Sequence, residues 1–516
     1  MSILVVVFSA RVIGVTPFAA ESKRHVVVVV WDGMRPDFVT EKTTPTLWKL
    51  SREGVTFRNH HAVYPSATMV NGTAIVTGVY PGRSGVIANY AYRPELDQTR
   101  SISVESPAVV SRGDELSGGR YISVPTIADL VQSIGGRTVM SSAKSVGLLL
   151  DRNAKTGPAK NRVTLVAGQT LPGDVITSLV AALGPFPSAR LERDTWTTKA
   201  VTDLLWKDGV PALSVIWLGQ PDLTQHETGP GAAAALAAIK SSDQNLAVIL
   251  SALESHGTRD ATDLFIVSDH GFSTIRRSID LPKLLTNAGF VAKTKFDDER
   301  KSGDIMLVGN GGSVLFYVVG NDSTVTRRLV EFLQQSDFAG VILTRQDLPG
   351  TFRLDHAKME SLHAPDVVMS FRWCDSKNHF GVPGMIDADW RRTAGGTHAT
   401  LSPFDMHNTL IAAGPDFHRG QTDELPTGNV DLAPTILHIL GIKSSQQMDG
   451  RVLLEAMAGI DQGSTGKATE TKTVGATKRF PAGTWRQSLR ISRVGSTIYL
   501  DEGNGAFSSE AVKKGN

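Results

Sequence analysis

The chain is 516 residues long and 41% hydrophobic, with 53 basic against 51 acidic side chains and a formal net charge of +2. Such a length and apolar fraction supply a large core, enough for several domains or one large enzyme domain with insertions. Near-neutral charge gives no basis for a nucleic-acid polymer or an anionic membrane as the main partner, so any pull on an anionic ligand is local. Cys374 is the single cysteine, which excludes an internal disulfide and a cysteine zinc cluster and leaves Asp and His as the available metal ligands.

The N-terminal residues 1–24 carry the apolar run Ile3–Phe8 and the small residues Ala19 and Ala20 before Glu21–Arg24. They resemble a secretory signal with an incomplete start, because a basic beginning is missing and Arg11 interrupts the apolar run. The expectation is a periplasmic or secreted protein; a frayed N-terminal arm is the other reading. No other stretch is apolar for long enough to span a bilayer.

His25–Trp31 is a continuous β-branched run ending in Asp32-Gly33, the pattern of a central parallel strand buried on both faces. Asp32 then falls at the strand's C-terminal end, where open α/β sheets place their ligands. A short helix is expected from Thr44 to Leu50. Next, Tyr64-Pro65 holds the chain extended and the small and apolar residues after Thr68 enter a helix, so a hydroxyl sits at a helix N-terminus. Free backbone N–H groups and the dipole favour an anion there, such as a phosphate in front of the Thr68 oxygen. The plainer reading of Thr68 is an N-cap.

Beyond the turn Tyr80–Gly85, with Asn89 just after it, residues 124–135 read as a helix and Thr138–Ser142 as a strand followed by Lys144. Residues 155–185, rich in Gly, Pro and Thr, read as an inserted surface region. Ala212–Leu218 is a second buried strand that runs into Asp222 and His226, whose spacing of four returns both side chains to one side of a helical turn. A long Ala- and Leu-rich helix spans 232–255, and Asp263–Ser268 is a third buried strand, ending in Asp269-His270-Gly271. Strands separated by helices, each ending in an acidic residue, predict a parallel sheet with a site along one edge.

Residues 280–375 alternate short strands and helices as a cap or insert, and His398 follows a Gly-containing loop. Residues 458–481 read as a linker and 482–516 as a small β appendage, which leaves 25–457 as the catalytic domain.

Asp32, Thr68, Asp222, His226, Asp269, His270 and His398 thus come from separate segments that converge on one sheet edge. Carboxylates and imidazoles without sulfur suit zinc, with manganese or iron open in the same sites. Seven ligands make two sites, and two such ions about 4 Å apart clamp a transferring phosphoryl group.

These motifs, with Tyr64-Pro65-Ser66-Ala67-Thr68, Val76–Pro81, Ser268–Gly271, Gly396-Thr397-His398, Asp431–Thr435 and Met448–Arg451, resemble the nucleotide pyrophosphatase/phosphodiesterase branch of the alkaline phosphatase superfamily. The resemblance implies an α/β three-layer sandwich around a mostly parallel sheet. One zinc would be held by Asp222, His226 and His398, the other by Asp32, Asp269, His270 and the Thr68 oxygen. Thr68 would be the nucleophile of a phospho-threonine mechanism, with the Asn71 side chain and the Met69 N–H on the equatorial oxygens. The implied substrate is a small phosphodiester or pyrophosphate, a nucleotide among the candidates.

Two departures stand out: Gly72 where the family usually has His, and Met69 where it often has Phe. Trp217 could stack a nucleobase or simply fill its strand's core. Lys144 resembles a lysine of phosphonoacetate hydrolases, where it could bind a substrate anion; a solvated lysine is the bland alternative. It keeps phosphonate or phosphomonoester hydrolysis on the same scaffold as the second reading. An inactive binding protein would lack part of the ligand set, and none is missing.

Overall fold

The computed structural model describes residues 24–152, 161–297, 299–460 and 469–509. Apart from Arg24, the signal-like segment lies outside these residues. Nine strands form the central sheet: β1 His25–Trp31, β2 Val55–Phe57, β3 Thr138–Ser142, β4 Arg162–Val166, β5 Gln169–Leu171, β6 Leu213–Leu218, β7 Thr262–Val267, β8 Leu410–Ala413 and β9 Gln421–Asp423. Their order across the sheet is β9-β2-β8-β7-β1-β6-β3-β4-β5, and only β8 and β5 run against the rest.

The valine run of β1 behaves as its composition dictates. Val26, Val28 and Val30 enter one hydrophobic cluster, and Val27, Val29 and Trp31 enter another on the opposite face. Burying one such side chain is worth about 1.5–3 kcal/mol, so a strand covered on both faces holds twice the apolar side chains of a half-exposed one. Helix α2, Thr68–Thr77, packs on the first face through Met69, Ile75 and Val76. Helices α1, Pro45–Glu53, and α3, Ala233–Ser255, cover the second; α3 does so through Ile239, Leu246, Ile249 and Leu253, at helical spacing. Asp243 of α3 also caps α1, accepting from the N–H groups of Thr46 and Leu47 at 3.0 and 2.9 Å. The result is a helix–sheet–helix sandwich of the alkaline-phosphatase type.

Register decides where the chemistry falls. β1 is matched to β6 as Trp31↔Leu218 and to β7 as Val30↔Val267, so Asp32, the segment Gly219–Asp222 and Asp269 all emerge at one edge. The expected surface region 155–185 differs from the structure: β4 extends the central sheet in parallel with β3, and Val175–Leu183 is helical. Its Thr- and Gly-rich sequence hides strands only five and three residues long. Residues 153–160 lie outside the described set.

Between β7 and β8 the chain builds a six-stranded sheet from Ala292 to Phe371, with its own apolar cluster. The C-terminal strands Thr469–Phe480, Gly483–Val494 and Thr497–Ser509 form an antiparallel meander. The stretch read as a linker therefore contains a twelve-residue strand from Thr469; its side chains are mostly exposed, and its only apolar alternation, Val474, Ala476 and Phe480, is confined to the second half. The meander is docked rather than appended. Trp485, 0% exposed, donates to Gly350, Gln487 bonds both backbone groups of Ile342, and Asp501 pairs with His61 at 2.8 Å.

Candidate active site

Thr68 is the first residue of α2, whose N-cap is Ala67, so its hydroxyl is not spent on capping. The Thr68 Oγ1 instead lies 3.3 Å from His270 Nε2. The helix behind it is buried along its whole length, which fixes the hydroxyl rigidly. Beside it, Asp32 closes β1 and Gly33 follows at φ +73, a left-handed conformation that glycine adopts without strain. That turn aims the Gly33 N–H at Asp269 Oδ1, 3.0 Å away, and the Asp222 N–H donates to the Asp32 carbonyl at 2.9 Å. Three strand ends are thereby tied together, one link running through the Asp269 carboxylate and the other between backbones.

All seven side chains singled out in the sequence meet here. His226 Nε2 and His398 Nε2 lie 3.1 and 3.7 Å from Asp222 Oδ1; His270 Nε2 lies 3.7 Å from Asp32 Oδ1 and 3.2 Å from Asp269 Oδ2. The rings of His270 and His398 stack at 3.7 Å. His270 stands within 4.8 Å of donor atoms on both sides, joining Asp222 and His398 as well as Asp32 and Asp269, so the two constellations share it as a common edge. His226, 29% exposed, closes the Asp222 group from the solvent side.

The donor set fits divalent cations for a reason visible in the hydrogen bonding. The Nδ1 atoms of His226, His270 and His398 face the backbone carbonyls of Gly396, Gly271 and Ser66 at 3.0, 2.8 and 2.8 Å. A carbonyl only accepts, so each Nδ1 carries the proton and each Nε2 presents a lone pair. Those lone pairs point at Asp32 Oδ1, Asp222 Oδ1 and Asp269 Oδ2, buried oxygens without a hydrogen-bond partner among the described residues. Lone pair against lone pair in a buried corner is costly unless a cation lies between them.

Charge at the site follows. Burial, with Asp269 adding to it, pushes the Asp32 carboxyl up to about 7, and burial likewise pushes Asp269 up to about 7. Burial acts on Asp222 too, but Lys144 and then His226 outweigh it and hold this carboxyl well below the usual range. Burial lowers both His270 and His398, keeping them neutral, the protonation state that binds metal. A divalent cation among these oxygens reverses the burial penalty on the carboxylates.

Four other expectations change. Asn71 is 0% exposed, and its Oδ1 accepts from the N–H of Val63 at 2.6 Å and from Asn429 at 2.9 Å, while its Nδ2 donates to the carbonyls of Val63 and Ala67. It braces the bend before α2 and has no group left for a substrate. The Met69 N–H is taken by Asn89 Oδ1 at 2.9 Å, so the half-buried Asn89 is the amide that borders Thr68. Trp217 is 0% exposed, and its Nε1 donates to Asp32 Oδ2 at 2.8 Å; it supports a carboxylate from within the core and is no base-stacking wall. A Cβ on Gly72 would come within 2.8 Å of Val146 and 3.2 Å of the Trp217 ring, which excludes a larger residue there. Lys144 is neither solvated nor open to a substrate anion: its Nζ lies 2.9 Å from both Asp32 Oδ2 and Asp222 Oδ2.

Sequence reasoning missed Asn89, Asn429 and Asp194. Asn429 donates to the Asp269 carbonyl at 2.7 Å, and Asp194 accepts from the N–H groups of Gly219 and Gln220 at 2.7 and 3.0 Å. Asn89 follows its turn by four residues with no local motif, and only the folded loop brings it to Met69.

The layered α/β fold and the acidic–imidazole corner at its strand ends define a member of the alkaline phosphatase superfamily. The model of the type I phosphodiesterase/nucleotide pyrophosphatase family matches residues 26–373, and the chain belongs to that family. It is 23% identical over 428 residues to ectonucleotide pyrophosphatase/phosphodiesterase family member 3 of Mus musculus, a match covering 81% of this chain and 42% of that protein. It is 24% identical over 246 residues to the venom phosphodiesterase of Naja atra, covering 47% and 26% of the two chains. These matches span less than half the length of either relative. Among solved structures, an inactive variant of murine ectonucleotide pyrophosphatase/phosphodiesterase 5 in complex with AMP superposes with a TM-score of 0.60 at 18% identity, over 84% of this chain and 100% of that one.

Proposed function

We propose that this chain hydrolyses a phosphodiester or pyrophosphate bond of a small, nucleotide-like substrate through a phospho-threonine intermediate. The observation that carries the reading is Thr68: an uncapped hydroxyl on the first residue of a buried helix, facing a neutral imidazole inside a corner of paired carboxylates and histidines. A bound pair of divalent cations, zinc by donor type with manganese or iron as substitutes, would supply Lewis acidity and favour the alkoxide of Thr68. Asp222, His226 and His398 would hold one; Asp32, Asp269, His270 and Thr68 the other.

The rest of the chemistry belongs to the protein. The Thr68 Oγ1 bonds to phosphorus as the bond to the leaving oxygen breaks, and water later cleaves the phospho-threonine and restores the hydroxyl. Asn89, oriented by the Met69 N–H, directs its Nδ2 to an equatorial phosphoryl oxygen. The N-terminus of α2 adds its dipole to the same charge. Phosphonate hydrolysis loses its support, because the lysine that suggested it is held by two carboxylates.

A panel of p-nitrophenyl thymidine monophosphate, p-nitrophenyl phosphate and phosphonoacetate, assayed with the zinc-loaded protein, tests the reading. Dominant release from the diester is expected. Dominant cleavage of phosphonoacetate overturns it.

A further inference from the structure

The two metal constellations are joined by a feature that the reaction itself does not use. Lys144 lies just past the end of β3, and its N–H is held by Ser142 Oγ at 3.0 Å. Its stem crosses the end of β6 at Gly219, where an added Cβ would lie 3.2 Å from the lysine Cγ. Gly219 is in turn fixed by Asp194. The path leads the ammonium into a corner where the side chain is only 16% exposed.

There the two aspartates divide their oxygens in the same way. The Oδ2 atoms of Asp32 and Asp222 each accept from Lys144 Nζ at 2.9 Å, and Asp32 Oδ2 also accepts from Trp217 Nε1. The Oδ1 atoms of both residues face the imidazole Nε2 atoms and have no hydrogen-bond partner among the described residues. One ammonium thus fixes both carboxylate rotamers and offsets the repulsion between two acids of opposite sites.

We propose that Lys144 is the positioning residue shared by the two metal sites, orienting Asp32 and Asp222 so that their inner oxygens are presented to the cations together. The inference rests on the two-cation reading above. Carboxylates held from behind in this way typically lose about 10- to 100-fold in metal affinity when the supporting group is removed. Because Lys144 touches a ligand of each site, its loss weakens both sites at once. Trp217 touches Asp32 alone, so its loss weakens one.

The test is zinc binding by the full chain, without substrate, in competition with a chromophoric chelator. The wild type is expected to take up two ions. Lys144→Met, or Lys144→Gln should the methionine compromise folding, is expected to weaken both sites by about 10- to 100-fold. Trp217→Phe is expected to weaken one. With zinc saturating, KM in the lysine variants stays within a few-fold of the wild type while kcat falls. Wild-type affinity at both sites in a folded lysine variant, or a raised KM with kcat and zinc affinity unchanged, overturns the inference and leaves the hydrolase reading intact. A wild type that takes up no ion pair defeats the two-cation reading itself, and the inference with it.

Discussion

Two buried acid clusters in this molecule look alike and behave differently. Asp387, 0% exposed, lies on the strand Pro383–Ala388 and is saturated by Arg276 and Arg277, whose guanidinium groups donate to both of its oxygens. Asp32, Asp222 and Asp269 are as deeply buried, yet each keeps one oxygen that no hydrogen atom reaches among the described residues. A carboxylate with all its lone pairs engaged is structural. One left incomplete next to imidazole lone pairs is a site waiting for charge from outside the protein. Burial and acidity alone do not separate the two; hydrogen-bond completeness does.

The sharpest way to break this contrast is to remove the hydroxyl. Thr68→Ala should lower kcat by at least about 10³-fold and abolish the labelled phospho-enzyme trapped by acid quench, while zinc content by mass spectrometry stays unchanged. Retained turnover removes the covalent mechanism. Asn89→Ala should cost about 10²-fold in kcat, whereas Asn71→Ala should show its main effect in thermal unfolding, since Asn71 bonds only to protein groups; the reverse outcome restores the assignment made from sequence.

Acid sensitivity gives a third measurement, at buried histidines behind the candidate site, where His60 meets Asn429. Burial pulls His60 from 6.5 down to about 3, and burial with the neighbouring His61 does the same for His407. Both are neutral when folded and gain a proton on unfolding below pH 6.5, so each contributes stability that is present above that pH and lost as it falls toward 3. The slope is about 1.4 kcal/mol per pH unit for each histidine. Denaturant melts at several pH values should show it, and His407→Phe should remove one share. The smallest effect is expected at the saturated cluster: Asp387→Asn should cost about 1–2 kcal/mol of stability and leave kcat near wild type. A collapse of activity there would erase the distinction between the two clusters.

The sequence located Asp32, Asp222 and Asp269 because each follows a valine-rich or apolar strand, and strand ends of one parallel sheet share an edge by geometry. His398 was read into the same set from a Gly-containing loop, but nothing in that loop fixes its place, and the family motif gave it its partners. The errors share a cause. Asn71 and Asn89 are both amides near Thr68, and only the folded chain shows that one is consumed by Val63 and Asn429 while the other meets Met69. The strand Thr469–Phe480 escaped because it is polar and mostly exposed, and three alternate apolar residues near its end, Val474, Ala476 and Phe480, make too short a period to read.

By itself, then, the sequence determined the inner strands of the central sheet, the helices on its two faces and the seven side chains of the corner, since most of those follow from local periodicity and from where apolar runs end. Tertiary structure alone decided which oxygen of each carboxylate lacks a hydrogen-bond partner among the described residues and which amide borders Thr68. It also decided that Lys144 and Trp217 serve Asp32 rather than a substrate. Hydrogen bonds between residues tens to hundreds of positions apart settle such questions, and no pattern along the chain encodes them.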